Sequence, residues 1–396
     1  MKQKFKPTLL VISSVVFALS LAGCSAPADA PAAAPSGAAS APADTSAADV
    51  VTAAKAKLVK YQAGLSQSPP STGPAAQKGK FVIIIPCGMA APGCGVPGQA
   101  MADAAKALGW KSQIIDGKLN PTGYQDAMRQ AIAAHPDGIL TDALSCVDIK
   151  VQLQAAKDAK IPVIAGPSSF DCDASDSGPN LYTSVIKSGG DMIPFHKALG
   201  EMRANYVIAK TDGKAKIILT THSDFISTTL EQDAYKKVLA TCAGCETVAT
   251  VNIAAGDLGT PAVIQQKVAT VLQQHPEATV FVSSSDTVLG MIGQTLRQNN
   301  NPKLIVVASE GYGNTLDLMR QGFSTAAGAF SQEWGAWAAA DTLNRIFAGG
   351  ETVAIPDSGM NMQMLDKEHG LDPVMGTGYV PTIDYKAAYK KVWAGN

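Results

Sequence analysis

The sequence predicts an α/β protein of two similar, doubly wound parallel-sheet lobes, and three features predict it. Phe81-Val82-Ile83-Ile84-Ile85 is an unbroken apolar run, which reads as a strand covered by helices on both faces. After it, strand-like and helix-like segments alternate without hairpin signals, the pattern of right-handed crossovers. The second half then echoes the first. Ala131-Ile132-Ala133-Ala134-His135-Pro136-Asp137 and Thr270-Val271-Leu272-Gln273-Gln274-His275-Pro276-Glu277 each close a helix with His and Pro ahead of a strand, so a duplicated lobe is the economical explanation.

In order, a short amphipathic helix is expected over 51–65, from the spacing of Val51, Ala54, Leu58, Tyr61 and Leu65, and a Pro-rich connector at 69–74. The strand from Phe81 stops at Pro86, which cannot donate to a ladder. The Ala-rich stretch Val96 to Leu108 follows as a helix. Strands are then expected at 112–116, 138–141, 161–165 and 181–186, with helices at 122–134 and 149–159 between them. The second half reads as strands at 216–220, 248–252, 279–282, 304–308 and 325–329, with helices at 230–239, 261–273 and 333–347.

The chain has 396 residues, 46% apolar and 16% charged, enough for two cores. Lys2, Lys4 and Lys6 precede the apolar run Leu9 to Leu21 and then Ala22-Gly23-Cys24. That is a secretory signal, too short to remain as a spanning helix. Leu21-Ala22-Gly23-Cys24 also resembles the bacterial lipobox, which implies lipid on Cys24 and removal of residues 1–23. That removal takes away three Lys and no acid, moving the formal charge from −1 to −4. No basic stripe survives, so nucleic acid is excluded as a partner. Residues 25–50 hold 12 Ala, 4 Pro and 4 Ser and too little apolar bulk to fold, so 24–50 is expected to be a disordered tether.

With Cys24 lipidated, six of the seven Cys remain, an even number that suggests disulfides in an exported chain. Six Cys allow about fifteen pairings, and spacing favours Cys87 with Cys94, Cys146 with Cys172, and Cys242 with Cys245. The last is also a CxxC, but it follows a helix where a catalytic pair would begin one. A structural staple is therefore expected.

Here the chain resembles a known family. The lipoprotein signal and tether, Gly79-Lys80-Phe81-Val82-Ile83-Ile84, Ala107-Leu108-Gly109-Trp110, Asp137-Gly138-Ile139-Leu140, Ile161-Pro162-Val163-Ile164 and Ser188-Gly189-Gly190 look like type I periplasmic solute-binding proteins of ABC importers, the ribose- and sugar-binding group. The resemblance implies lobe 1 from 80–187 plus 325–352, and lobe 2 from 188–324 plus 353–396, with 51–79 as helix and connector. It implies crossings near 186–188, 322–325 and 350–356 and a ligand shut between the lobes. Partners would be a small molecule, an ABC permease and its ATPase. The chain would be a monomer held outside the cytoplasmic membrane by its lipid, in the periplasm or at the cell surface, with no cofactor, metal or catalytic residue.

Carried over to the strand-end loops, the resemblance offers Gly88, Met89, Ser169, Phe170, Asp171, Phe225, Thr229, Ser285, Asp286, Glu310, Phe330 and Trp334 as ligand-binding residues. Carboxylates and hydroxyls suit alcohol groups and aromatic faces suit ring surfaces, so a small neutral polar ligand, sugar-like or polyol, is expected. Ser and Asp also favour helix N-caps. Sugar binders of this group commonly place Arg in these loops, whereas Arg129, Arg203, Arg297, Arg320 and Arg345 all fall in predicted helices or helix ends. An aromatic or cationic ligand therefore stays open, as does a sensing role beside a chemoreceptor or sensor kinase.

Enzyme readings find little support. Gly93-Cys94-Gly95-Val96-Pro97-Gly98 fits a dinucleotide fingerprint with Asp116 beyond it, but the strand ends too far upstream. His222-Ser223-Asp224 holds triad residue types, yet adjacent residues cannot form the relay. The five His are scattered, without metal-ligand spacing.

Overall fold

The computed structural model describes residues 46–395 apart from 66, 176, 177 and 300. The expected signal peptide, the lipidated Cys24 and most of the tether lie outside the described residues. The helix after the tether starts earlier than the expected boundary. It is α1, Ala47–Ala63, capped by Ser46, whose hydroxyl accepts from Asp49 N while the Asp49 carboxylate reaches back to the Ser46 amide. This reciprocal cap moves the helix start into the Ala-rich stretch.

Then follow β1 (Phe81–Pro86), α2 (Pro92–Ala107), β2 (Lys111–Ile114), α3 (Pro121–Ala133), β3 (Gly138–Asp142), α4 (Cys146–Asp158), β4 (Val163–Ala165) and β5 (Ser184–Val185). They make a five-stranded parallel sheet of order β2-β1-β3-β4-β5. In β1 both faces are buried, as the unbroken apolar run requires. Val82 and Ile84 join one core, and Ile83 and Ile85 another.

The second lobe contains α5 (Met192–Lys210), β6 (Lys216–Thr221), α6 (Ile226–Leu239), β7 (Glu246–Asn252), α7 (Pro261–Gln274), β8 (Val280–Val282), α8 (Asp286–Met291), α9 (Gly293–Asn299), β9 (Ile305–Glu310), α10 (Gly313–Arg320) and β10 (Ala326–Phe330). After α11 (Gln332–Gly349), β11 (Met362–Asp366) adds an antiparallel edge, giving the order β11-β10-β9-β8-β6-β7. The chain ends with α12 (Tyr385–Trp393).

Two expected lobe assignments change. The strand at 326–330, expected in lobe 1, pairs in register with β9 (Ala326 beside Val307, Ala329 beside Glu310), so the second crossing falls at Ser331 and not at 322–325. The tail also divides: β11 stays with lobe 2, while α12 packs on α11. Trp393 stacks on Trp337 with centroids 5.3 Å apart, and Trp393 Nε1 donates to Asp341 at 2.8 Å. Helix α11 itself lies on α2, β3 and β4.

The crossings 186–191 and 350–361 are bonded to each other. Ser188 Oγ donates to Met360 O at 2.9 Å, Ser358 N to Lys187 O at 2.8 Å, and Gly189 N to Asp357 Oδ2 at 2.5 Å. A buried polar chain also spans the lobes. His196 on α5 meets Pro167 O of lobe 1 at 3.2 Å and Glu231 at 2.8 Å, and Glu231 holds Arg203 at 2.7 Å. Three disulfides are formed: Cys87–Cys94, Cys146–Cys172 and Cys242–Cys245.

Candidate functional site

A cavity lies between the carboxyl ends of the two sheets, where open α/β sheets hold ligands. Lobe 1 contributes Cys87, Ala91, Gly93 and Cys94 from the β1–α2 turn, Ala143 after β3 and Ser168 after β4. Lobe 2 contributes His222, Phe225, Ser227 and Thr228 around the start of α6, then Leu258, Ser285, Thr287 and Glu310, with Gln332 at the crossing. The cavity volume is about 50 Å³.

Gly93 leaves open space where the lobes face each other. A Cβ there would stand 3.5 Å from Thr287 Oγ1 and 3.8 Å from Glu310 Oε1 of the opposite lobe, filling space that the cavity now uses. The Cys87–Cys94 disulfide pins the same turn, so the end of β1 and the first turn of α2 form one fixed wall.

Glu310 is the most constrained residue of the wall. It ends β9 at φ +55°, a left-handed conformation that costs a side chain of this size energy unless its surroundings hold it. Here they do: Oε2 accepts from Asp286 N at 2.9 Å, and Oε1 faces Gln332 Nε2 at 3.4 Å. Burial first, then the nearby Asp286 charge, push its carboxyl up to about 8. Asp286 lies behind it and accepts from Ser309 N (2.9 Å), Gly311 N (2.8 Å), Tyr312 N (2.8 Å) and the Thr315 hydroxyl. Its carboxyl is raised to about 6, because burial outweighs these bonds. His222, also in the wall, is held below the usual imidazole range by burial.

Of the twelve sequence-nominated residues, the structure brings Phe225, Ser285 and Glu310 into the wall. The other nine stand outside it. Gly88 and Met89 are displaced by their neighbours in the turn, and Met89 N is tied to Asp116 at 3.0 Å. Ser169 bonds Thr141 at 3.0 Å and the Leu144 amide at 3.1 Å. Phe170 packs on His196, and Asp171 accepts from the amides of Cys172, Leu181 and Tyr182. Thr229 turns back to Phe225 O at 3.1 Å. Asp286 supports Glu310 from behind, Phe330 packs on Phe195, and Trp334 stacks on Tyr385 with Nε1 donating to Ser358 O at 2.9 Å.

Sequence reasoning did not nominate Ala91, Gly93, Ala143, His222, Ser227, Thr228, Leu258 and Thr287 as ligand contacts. Several adjoin nominated positions, and period alone could not say which neighbour turns inward. Among the described residues, Cys146, Asp171 and Cys172 are grouped closely enough to suggest a metal, but the two sulfurs are bonded to each other. Gly93, Gly95 and Gly98 lie inside α2 rather than in a loop ahead of it, unlike a dinucleotide turn.

Residues 83–351 match the periplasmic binding protein domain family. The chain belongs to that family. This periplasmic binding protein has the type I fold, and its solved relatives are solute-binding proteins. One from Burkholderia graminis, solved with D-arabinose, is 21% identical, aligns over 74% of this chain and 96% of its own, and gives a TM-score of 0.62. The arabinose-transporter component of a Shewanella species, solved with arabinofuranose, is 17% identical over 79% of this chain and 95% of its own, with a TM-score of 0.62. An Agrobacterium vitis protein with bound allitol is 16% identical over 74% of this chain and 96% of its own, with a TM-score of 0.61. No curated protein sequence matches the chain. No helix among the described residues is long and apolar enough to cross a membrane.

Proposed function

We propose that this periplasmic binding protein is the extracytoplasmic receptor of an ABC importer. It is held to the membrane by lipid on Cys24, captures a small sugar-like or polyol solute between its lobes, and passes the closed form to a permease driven by an ATPase. The observation that carries the reading is the interlobe cavity and its mixed lining. Its wall pairs apolar faces (Phe225, Leu258, Ala91, the Cys87–Cys94 disulfide) with polar groups (Ser168, Ser227, Ser285, Glu310), as a solute with both CH faces and hydroxyls requires.

Capture needs no covalent step. The lobes close as rigid bodies about the bonded crossings, and each wall loses water only when the other arrives. Thermal unfolding of the purified protein against a library of sugars and polyols tests this. A solute at about 100 times its dissociation constant stabilises the native state by about 2.7 kcal/mol, a shift of several degrees. No shift with any member, or chemical conversion of a bound one, refutes the proposal. Mass spectrometry of Cys24-containing fragments tests the lipid.

A further inference from the structure

The cavity wall carries one carboxyl, Glu310, with a second, Asp142, buried beside the wall, and its one basic side chain is the buried His222. Glu310 stands in the lobe 2 wall. Asp142 ends β3 in lobe 1, beside the wall residue Ala143. It is fully buried, and neither carboxylate oxygen has a hydrogen-bond partner. The Ser168 amide lies near enough to favour its charged form without completing a hydrogen bond. Tyr312, from lobe 2, feels both the Glu310 and Asp142 charges, and its buried hydroxyl is unpartnered.

Neither Lys nor Arg lines the cavity. Arg203 acts on Glu310 from behind, with Nη2 on Glu231 at 2.7 Å, Nη1 on Ser283 O at 2.9 Å and Nε without a partner, and it does not line the cavity. Gln332, 2% exposed and in the wall, leaves Oε1 unpartnered. Asp286 needs no outside partner, being satisfied by four donors. Elsewhere the wall offers donors. The N-termini of α2 and α6, at Ala91 and Phe225, carry no side-chain cap; at α2 Pro92 has no N–H and Cys94 and Gly95 already donate to Ala91 O, so the amides left for a ligand oxygen are those of Gly93 and the first turn of α6.

Resting on the receptor reading above, we propose that the solute is a polyhydroxylated amine, an amino sugar or amino polyol. Its ammonium group sits against Glu310, in the field that Asp142 shares from the other lobe, and its hydroxyl oxygens accept from the helix-end amides. An ammonium draws the proton off Glu310 and compensates the carboxylate it leaves, whereas a hydroxyl leaves that carboxyl protonated and neutral. Closure is thereby tied to the charge of the guest. The groups around Glu310 are Asp286, Glu231, Arg203, Tyr312 and Gln332, with His222 in the same cavity wall. With the site empty Glu310 holds its proton up to about 8, so taking up an ammonium near pH 7 releases that proton to the buffer.

Calorimetric titration of the whole protein with matched pairs tests this: glucosamine with glucose, galactosamine with galactose, and glucamine with sorbitol. In at least one pair the amine is expected to bind at least tenfold tighter, with proton release seen as a dependence of the heat on buffer ionisation enthalpy. Glu310→Gln is expected to bring the pair within about twofold. Because Asp142→Asn could unfold the lobe, its circular dichroism is checked and the ratio within the pair, not the affinity, is read. A sugar that binds as tightly as its amine, or a ratio unchanged in Glu310→Gln, overturns the inference and leaves the receptor reading standing. No binding by any member of any pair, or by the wider sugar library, overturns both.

Discussion

Glu310→Gln should stabilise the unliganded protein, and by an amount that grows with pH. The carboxyl is held at about 8 in the fold against an ordinary 4.5, so the native state binds the proton more tightly than the unfolded chain. Stability from this group is whole below about pH 4.5 and is lost as pH rises through about 8, the reverse of a paired carboxylate. At pH 7 the gap is 2.5 units, which at about 1.4 kcal/mol each gives about 3 kcal/mol. Gln keeps the contacts: its carbonyl accepts from Asp286 N, and its amide can face Gln332 Oε1, which has no partner now. Urea unfolding of both proteins at pH 4.5, 6, 7 and 8 reads the difference, expected near zero at the lowest pH and about 3 kcal/mol in favour of Gln at pH 7. A difference that does not change with pH, or a less stable variant at pH 7, would show that Glu310 is not carrying a buried proton.

Asp286→Ala leaves three backbone amides and the Thr315 hydroxyl without their acceptor, and should cost about 3–5 kcal/mol in the same unfolding experiment. Gly200→Ala places a Cβ 1.9 Å from Glu231 O where α5 crosses α6; the helices must part, and a loss of about 2 kcal/mol or more is expected from the melting curve. Phe225→Ala should weaken solute capture about tenfold or more in calorimetry with little change in melting temperature. Asp171→Ala should do the opposite, lowering the melting temperature while sparing affinity, since Asp171 serves three backbone amides away from the cavity. Replacing Cys87 and Cys94 by Ser frees the turn that forms one wall; affinity should fall more than stability, because the closed loop is short.

Local chemistry made much of this protein readable in advance. The Phe81 run pointed to a strand buried on both faces because no polar residue interrupts it, and β1 divides its residues between two cores. Helices α3 and α7 were legible from an apolar stripe, a Pro at the start and a His-Pro stop. Helix α5 was not. Thirteen of its nineteen residues are buried, so it has no polar face for a periodic pattern to show. Membership of β10 in the second sheet was equally hidden, since an Ala- and Gly-rich strand fits either lobe until its ladder with β9 is seen.

At the site, strand ends and turn residues marked which loops converge, because Pro, Gly and capping residues act over a few positions of chain. Which side chain within each loop turns inward was settled by the assembled lobes: Ser168 and not Ser169, Thr228 and not Thr229, Gly93 and not Gly88. Neighbouring residues differ there only by a twist of backbone that packing partners impose. Charge balance at the cavity belongs to the same class. Glu310 and Asp142 lie 168 positions apart in the chain, and both come to bear on Tyr312 only once two sheets face each other.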